Sequence, residues 1–164
     1  MRYHQIAVIG YDEDSCTDVA RKIAYETGKE IAKAGSVLLS GGLGGVMLEA
    51  CKGAKDHNGT TVGIIPQNEF YFANKYCDIV ICSSIGFARN FIIASSADGI
   101  IIVGGGAGTL NELTIAYLNK KKIVALTESG GIAYQYAGKY IDDRKIVKIL
   151  SANDPKDAVS KLLN

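Results

Sequence analysis

Residues 99–118 read GIIIVGGGAGTLNELTIAYL, an apolar run that passes through a glycine-rich loop into a helical pattern. The run at 99–103 is typical of a strand that is buried on both faces of a parallel sheet. Residues 108–118 continue as a helix. A strand, a glycine-rich turn and a helix in this order indicate a βα unit of an α/β protein.

The same alternation extends over the rest of the chain. Further strands are predicted at residues 4–10, 37–40, 60–65, 78–82, 123–126 and 146–149. Further helices are predicted at residues 15–34, 45–57, 85–97 and 154–163. Ser15–Asp18 indicates a capping box for the first of these helices, and Gly35 its C-terminal stop. Residues 67–76 are expected to form a loop, and the pattern at 130–140 fits no single element. The sequence therefore predicts one Rossmann-like, doubly wound α/β domain over residues 1–164, with a mainly parallel sheet of about six or seven strands flanked by helices.

Composition and charge exclude several classes of protein. The chain is 48% hydrophobic and 21% charged, which is ordinary for one globular core. The net charge of +1 gives no field that would attract nucleic acid or an anionic membrane, so neither is expected as a partner. No apolar stretch approaches the roughly 20 residues that a membrane helix needs. The first residues enter a strand pattern, so no signal peptide is expected.

The cysteines indicate a reducing compartment. Cys16, Cys51, Cys77 and Cys82 lie far apart in the sequence, and with the two histidines they form no spacing typical of a metal site. Isolated thiols in apolar surroundings are usually small core residues. We therefore expect a cytoplasmic protein without a bound metal.

Two glycine-rich loops are candidates for binding an anion. The first lies at residues 40–47 (SGGLGGVM) and contributes Gly41, Gly42, Gly44 and Gly45. The second lies at residues 104–109 (GGGAGT) and contributes Gly105, Gly106, Gly108 and Thr109. Glycines between a strand and a helix leave backbone N–H groups exposed at the positive end of the helix, which binds phosphate or carboxylate. Either loop alone is also explained as a tight turn, whereas two at one sheet edge favour an anion site.

Familiar nucleotide motifs do not fit these loops. No G-K-[ST] follows either of them, and the loop after the first strand is the acidic 10–14 segment, GYDED. The sequence therefore disfavours a P-loop NTPase and a standard NAD dehydrogenase.

Two charged residues have both a structural and a functional interpretation. Glu112 completes a capping box with Thr109, but one turn into this helix it would also lie beside a bound sugar. Arg89 lies at the edge of an apolar stripe formed by residues 87, 88, 91 and 92. It would form a surface ion pair or, near the carboxyl edge of the sheet, bind a phosphate or fix a carboxylate.

These motifs together resemble a known family. Residues 104–112 (GGGAGTLNE) resemble the P-G-G-x-G-T-x-x-E motif of the LOG (Lonely Guy) family, whose members often carry the label "possible lysine decarboxylase". The first glycine loop resembles the family's G-G-G-x-x-G-[LVI]-M loop, and residues 63–66 (GIIP) match its strand end. Arg89 falls where the family has its active-site arginine. Gly104 replaces the motif's proline, and Arg89–Asn90 replaces an Arg-Lys pair. The short length and the Ala-Arg-Asn, Ser-Ala-Asp and Gly-Gly-Gly runs are closest to a branch that includes molybdenum cofactor carrier proteins and is related to the DNA-processing protein DprA.

The resemblance implies two functions of different classes. As a phosphoribohydrolase, the protein would release the base from a nucleoside 5′-monophosphate such as AMP. The glycine loops and Thr109 would hold the phosphate, Glu112 would contact the ribose, and Arg89 would position Glu112 or polarise the departing base. This reaction requires no metal or redox cofactor, and the chain shows no recognisable pyridoxal phosphate lysine. As a carrier, the protein would hold the molybdenum cofactor, a phosphorylated pterin, in the same cradle. A DprA-like DNA-binding role is disfavoured by the neutral charge. The resemblance also implies a homodimer or homotetramer.

Overall fold

A seven-stranded, fully parallel sheet lies at the centre of the protein, whose computed structural model describes residues 2–164. The strands are β1 (Gln5–Gly10), β2 (Val37–Ser40), β3 (Thr61–Ile65), β4 (Ile79–Cys82), β5 (Gly99–Val103), β6 (Lys122–Leu126) and β7 (Leu150–Ala152). Their order is β4-β3-β2-β1-β5-β6-β7, so successive strands are added in opposite directions from β1 and from β5. The predicted doubly wound α/β fold is confirmed.

Helices cover both faces of this sheet. Within residues 2–164 they are α1 (Asp18–Lys33), α2 (Val46–Lys55), α3 (Arg89–Ser96), α4 (Ala107–Leu118), α5 (Gly131–Tyr136) and α6 (Pro155–Leu163). Helices α1, α2 and α6 pack on one face, and α3, α4 and α5 pack on the other. Strand β5 is buried throughout, with Ile101 and Val103 in the first layer and Ile100 and Ile102 in the second. Burying each such side chain stabilises the fold by about 1.5–3 kcal/mol, so β5 anchors both layers.

The start of α1 differs from its prediction. The helix begins at Asp18, and its N-cap is Thr17, whose side-chain oxygen accepts a hydrogen bond from the Ala20 N–H at 3.1 Å. The predicted capping box from Ser15 is therefore wrong, because the Ser15 N–H instead donates to a carboxylate oxygen of Asp12. Gly35 follows the helix with a φ of +68°, which confirms its role as the stop.

Helix α3 buries a different face from the one predicted. It begins at Arg89, after a 3-10 turn at Gly86–Ala88. Phe87 is 86% exposed and Phe91 is 59% exposed, whereas Arg89 and Asn90 are buried. The predicted apolar stripe is therefore wrong. The first turn of α3 faces a pocket at the carboxyl edge of the sheet, and Arg89 and Asn90 line that pocket.

Residues 130–140, whose sequence pattern fits no single element, support the second glycine loop. They follow a 3-10 turn at Thr127–Ser129 and contain the short helix α5. Backbone N–H groups of Ile132 and Ala133 donate to the carbonyls of Gly105 and Gly104, each at 3.0 Å. In the described part of the chain, no helix is both long and apolar enough to cross a membrane.

Candidate functional site

A pocket of about 490 Å³ opens at the carboxyl edge of the sheet, where β1 lies beside β2 and β5. Its lining comes from the end of β1 and the residues that follow it, from the two glycine loops and from the first turns of α3 and α4. This is the place where the order of strands reverses, and α/β proteins bind ligands in such crevices. The volume suits a small organic molecule.

The second glycine loop presents the open end of α4 to this pocket. Gly106 is the N-cap of the helix, and Gly106, Gly108 and Thr109 line the pocket. A Cβ added to Gly106 or Gly108 would meet no other atom within 4 Å, so both face open space. The first N–H groups of a helix have no partner inside the helix, and they attract an anion. Gly105 does not line the pocket and instead packs against Thr109.

Thr109 and Glu112 do not form the capping box that their spacing indicates. Helix α4 begins at Ala107, so both residues lie inside it, and Glu112 is more than a turn from the N-cap. The Thr109 hydroxyl donates to the carbonyl of Gly10 at 3.0 Å, which ties α4 to the end of β1. Its proton is therefore committed, and the backbone N–H of Thr109 is the group left for an anion. Capping does not explain Glu112.

Glu112 and Arg89 form a buried ion pair in the pocket wall. Nη1 of Arg89 lies 3.8 Å from Oε1 of Glu112, and the two residues are only 8% and 7% exposed. Burial raises the pKa of Glu112 to about 7, although the nearby guanidinium opposes the shift. Burial also lowers the pKa of Arg89, and Glu112 opposes that shift. The site thus holds a carboxyl group that changes charge near neutral pH, as acid–base groups do.

Asn90 and Gly41 fix the position of the guanidinium. Nη1 of Arg89 donates to the side-chain oxygen of Asn90, whose amide donates to Asn111 at 3.0 Å. A Cβ on Gly41 would lie 2.6 Å from Nη2 of Arg89, so the arginine rests directly on the first glycine loop. Nε of Arg89 is buried and has no hydrogen-bond partner among residues 2–164. A buried donor without a partner is costly.

The first glycine loop contributes less to the pocket than the second. Gly41 lines the pocket, whereas Gly42, Gly44 and Gly45 do not. The Gly45 N–H donates to Oε2 of Glu13 at 2.6 Å, and the Gly42 N–H donates to the Ser40 hydroxyl at 3.1 Å. Hydrogen bonds from Arg21 and from Gly45 hold the pKa of Glu13 below its ordinary value. The chain's own carboxylate therefore occupies the anion position at the start of α2.

Sequence reasoning missed several residues of the pocket. The pocket is also lined by Tyr11, Asp12, Leu43, Met47, Phe87 and Asn90. Tyr11 and Asp12 directly follow β1, so the rule that ligands bind beyond the carboxyl ends of parallel strands points to them. No comparable signal indicates Met47 or Phe87.

Sequence comparisons identify the family of the chain and two of its relatives. The model of the SLOG cluster4 family matches residues 3–159. A protein of Archaeoglobus fulgidus described as uncharacterized is 44% identical over 126 residues, which are 77% of this chain and 82% of that protein. The cytokinin riboside 5′-monophosphate phosphoribohydrolase of Mycobacterium tuberculosis is 33% identical over 99 residues, which are 58% of this chain and 53% of that enzyme.

Solved structures extend the likeness to nearly the whole chain. The molybdenum cofactor binding protein of Rippkaea orientalis has 33% identity and a TM-score of 0.87, over 98% of this chain and 95% of its own. The molybdenum cofactor carrier protein of Chlamydomonas reinhardtii has 34% identity and a TM-score of 0.86, over 99% of both chains. DNA processing protein A of Helicobacter pylori has 18% identity and a TM-score of 0.71, over 98% of this chain and 80% of its own, which shows a shared fold alone. The expected likeness to phosphoribohydrolases is thus confirmed for part of the chain, and the likeness to carrier proteins for most of it.

Proposed function

The chain belongs to the SLOG cluster4 family, and from this membership and the pocket we propose that it binds a phosphorylated, nucleotide-like small molecule. The observation that carries the proposal is the buried Arg89–Glu112 pair beside the open N-terminus of α4. The helix end supplies N–H donors for a phosphate, and the guanidinium of Arg89 adds a positive charge to the pocket wall.

In its catalytic form the proposal is hydrolysis of the N-glycosidic bond of a nucleoside 5′-monophosphate. The phosphate lies at Gly106, Gly108 and Thr109, while Gly41 and the remaining glycines (Gly42, Gly44, Gly45 and Gly105) shape the two loops. Glu112 contacts the ribose, stabilises the positive charge that develops on it as the base leaves, and orients the attacking water. Arg89 keeps Glu112 in place. The partial likeness to the Mycobacterium tuberculosis enzyme supports this form, and the reaction requires no metal or redox cofactor.

The second candidate is a carrier that binds the molybdenum cofactor without turnover. Its support is the likeness to the Rippkaea orientalis and Chlamydomonas reinhardtii proteins over nearly the full chain. A phosphorylated pterin presents the same chemistry as a nucleotide, namely a phosphate joined to a flat heterocycle. The two candidate functions therefore share one phosphate site, and they differ in whether Glu112 takes part in breaking a bond of the ligand.

Two measurements test the proposal and separate its forms. A thermal-shift screen with AMP, ribose 5-phosphate and a pterin phosphate measures binding, because a ligand at 100 times its Kd adds about 2.7 kcal/mol of stability. Release of ribose 5-phosphate from AMP measures catalysis. Stabilisation without release supports the carrier. If none of these ligands stabilises the protein, the proposed binding function is wrong.

Self-assembly forms part of the same proposal. Strand β4 lies at the edge of the sheet and exposes Ile79 and Ile81, at 50% and 46%. Phe70, Tyr71 and Phe91 on neighbouring segments are also exposed. An uncovered apolar edge strand promotes unwanted association, and a second copy of the chain would cover it in a homodimer or homotetramer. Light scattering that gives a monomer mass at micromolar concentration would contradict this assembly.

A cytoplasmic location completes the proposal. The four cysteines are free, and the Sγ atoms of Cys51 and Cys77 lie 4.0 Å apart without a bond. Neighbouring unpaired thiols suit a reducing compartment. Counting free thiols in protein taken directly from cells tests this point.

A further inference from the structure

Phe87 lies at the rim of the pocket and is 86% exposed, the largest exposure among the hydrophobic side chains that line it. Leu43 and Met47, which come from the first glycine loop and the start of α2, also line the pocket. The open end of α4 is part of the same lining. The pocket therefore combines apolar side chains with a helix end that suits an anion.

The backbone before α3 is shaped to hold Phe87 outward. Ser84 and Gly86 both have a φ of +57°, and such a conformation is uncommon and unfavourable for serine. The turn is fixed to the end of β3, because the Gly86 N–H donates to the Pro66 carbonyl at 3.3 Å. Two residues after Phe87, Arg89 is buried. Residues two apart on a helical turn point in different directions, so anchoring Arg89 inside the pocket leaves Phe87 at its rim.

We infer that Phe87 is the stacking platform for the flat heterocycle of the ligand. The inference rests on the proposed function, and it assigns a role to a residue of this chain beyond the phosphate cradle. A nucleobase or a pterin has two flat faces that stack on an aromatic ring regardless of its substituents. With the phosphate at α4, the heterocycle extends into the rest of the pocket, whose lining includes Leu43, Met47 and Phe87. Phe91, in the first turn of α3, is also exposed but does not line the pocket, so it has no such role.

Matched ligands and matched variants test this assignment. We expect Phe87→Ala to weaken AMP binding about 10-fold in calorimetric titration, because stacking one base on an aromatic ring has an effect of this order. Binding of ribose 5-phosphate, which lacks the heterocycle, should stay unchanged. Phe87→Trp should retain AMP affinity. Phe91→Ala should bind both ligands as the wild type does.

Each contrary outcome is distinct. Undiminished AMP affinity in Phe87→Ala overturns the platform and leaves the proposed function intact. Equally weakened binding of AMP and of ribose 5-phosphate would give Phe87 a structural role. A change in oligomeric mass without a change in AMP affinity would make it an interface residue. Either result overturns the stacking platform. If the wild type binds ribose 5-phosphate as tightly as AMP, no heterocycle site exists. If the wild type binds neither AMP, ribose 5-phosphate nor a pterin phosphate, the proposed function and this inference are both wrong.

Discussion

Tyr11 occupies the space in which a side chain on Gly104 would lie. A Cβ built on Gly104 would be 2.1 Å from a ring carbon of Tyr11, and Gly104 has a φ of +63°. Its N–H also donates to the Ser129 hydroxyl at 2.7 Å. Proline has a φ near −65° and no N–H, so it does not fit at this position. The glycine that replaces the motif's proline is therefore matched to Tyr11, which lines the pocket.

We predict that Gly104→Ala destabilises the protein by about 2 kcal/mol more than Gly35→Ala, measured by urea unfolding. Gly35 is a matched control because its φ is +68° and a Cβ there meets nothing within 4 Å. Both variants share the cost of a positive φ, whereas only Gly104→Ala forces a methyl group into the Tyr11 ring, and such overpacking typically costs 1–3 kcal/mol. Equal losses for the two variants would show that Tyr11 moves aside freely.

We predict that Gly108→Val abolishes AMP binding while the protein stays folded. Gly108 is not among the residues with positive φ, and a Cβ there faces open space, so the backbone tolerates valine. The isopropyl group would occupy the position in which a phosphate oxygen approaches the N–H groups of α4. Calorimetric titration measures affinity, and the urea midpoint confirms folding. If a folded Gly108→Val protein binds AMP with wild-type affinity, the phosphate does not bind at this helix end.

The sequence predicts the architecture well because the core is regular. Strand β5 is apolar at all of its positions after Gly99, and its neighbours lie in short apolar runs, so strand–helix alternation indicates the doubly wound sheet. The hydrophobic periodicity of the sequence predicts the wrong buried face for α3, because it favours burying Phe87 and Phe91. Only the assembled sheet shows that the first turn of this helix faces the pocket, where Arg89 and Asn90 are buried.

The candidate site is predictable only where local sequence motifs determine it. The second glycine loop, Arg89 and Glu112 do meet in one pocket, as local motifs at the carboxyl edge of a sheet indicate. The first loop has equally good motif character, yet its Gly45 N–H is occupied by Glu13, 32 residues earlier in the chain. A contact over that separation has no local signal. Likewise, helix α4 begins at Ala107, so the apparent capping box at Thr109 lies inside the helix.

We predict that Glu112 makes the stability of the protein depend on pH between about 4.5 and 7. Its pKa is raised from 4.5 to about 7 in the folded state, so between these values the unfolded chain has released a proton that the folded chain still binds. Stability therefore falls as pH rises through this window and levels off above it, by at most about 3 kcal/mol. The measurement is the free energy of unfolding of the wild type minus that of Glu112→Gln across pH 4 to 8. A flat difference would mean that Glu112 titrates normally.

The last prediction concerns Glu112 as a catalytic group. If the protein releases ribose 5-phosphate from AMP, Glu112→Gln should lower kcat by about 100-fold or more, because a neutral amide cannot stabilise positive charge on the ribose or accept a proton. The rate of the wild type should rise with pH to a plateau above about 7, following ionisation of the carboxyl group. Glu49→Gln is a matched control, since Glu49 does not line the pocket. Its kcat should be unchanged, and Glu112→Gln should keep its affinity for ribose 5-phosphate.

Arg89→Ala should lose both activity and some affinity, because it removes the partner of Glu112 and the buried donor Nε. Normal turnover by Glu112→Gln would contradict the catalytic role. A wild type that binds AMP or a pterin phosphate tightly and turns over neither would instead identify the carrier, in which the Arg89–Glu112 pair only holds the ligand.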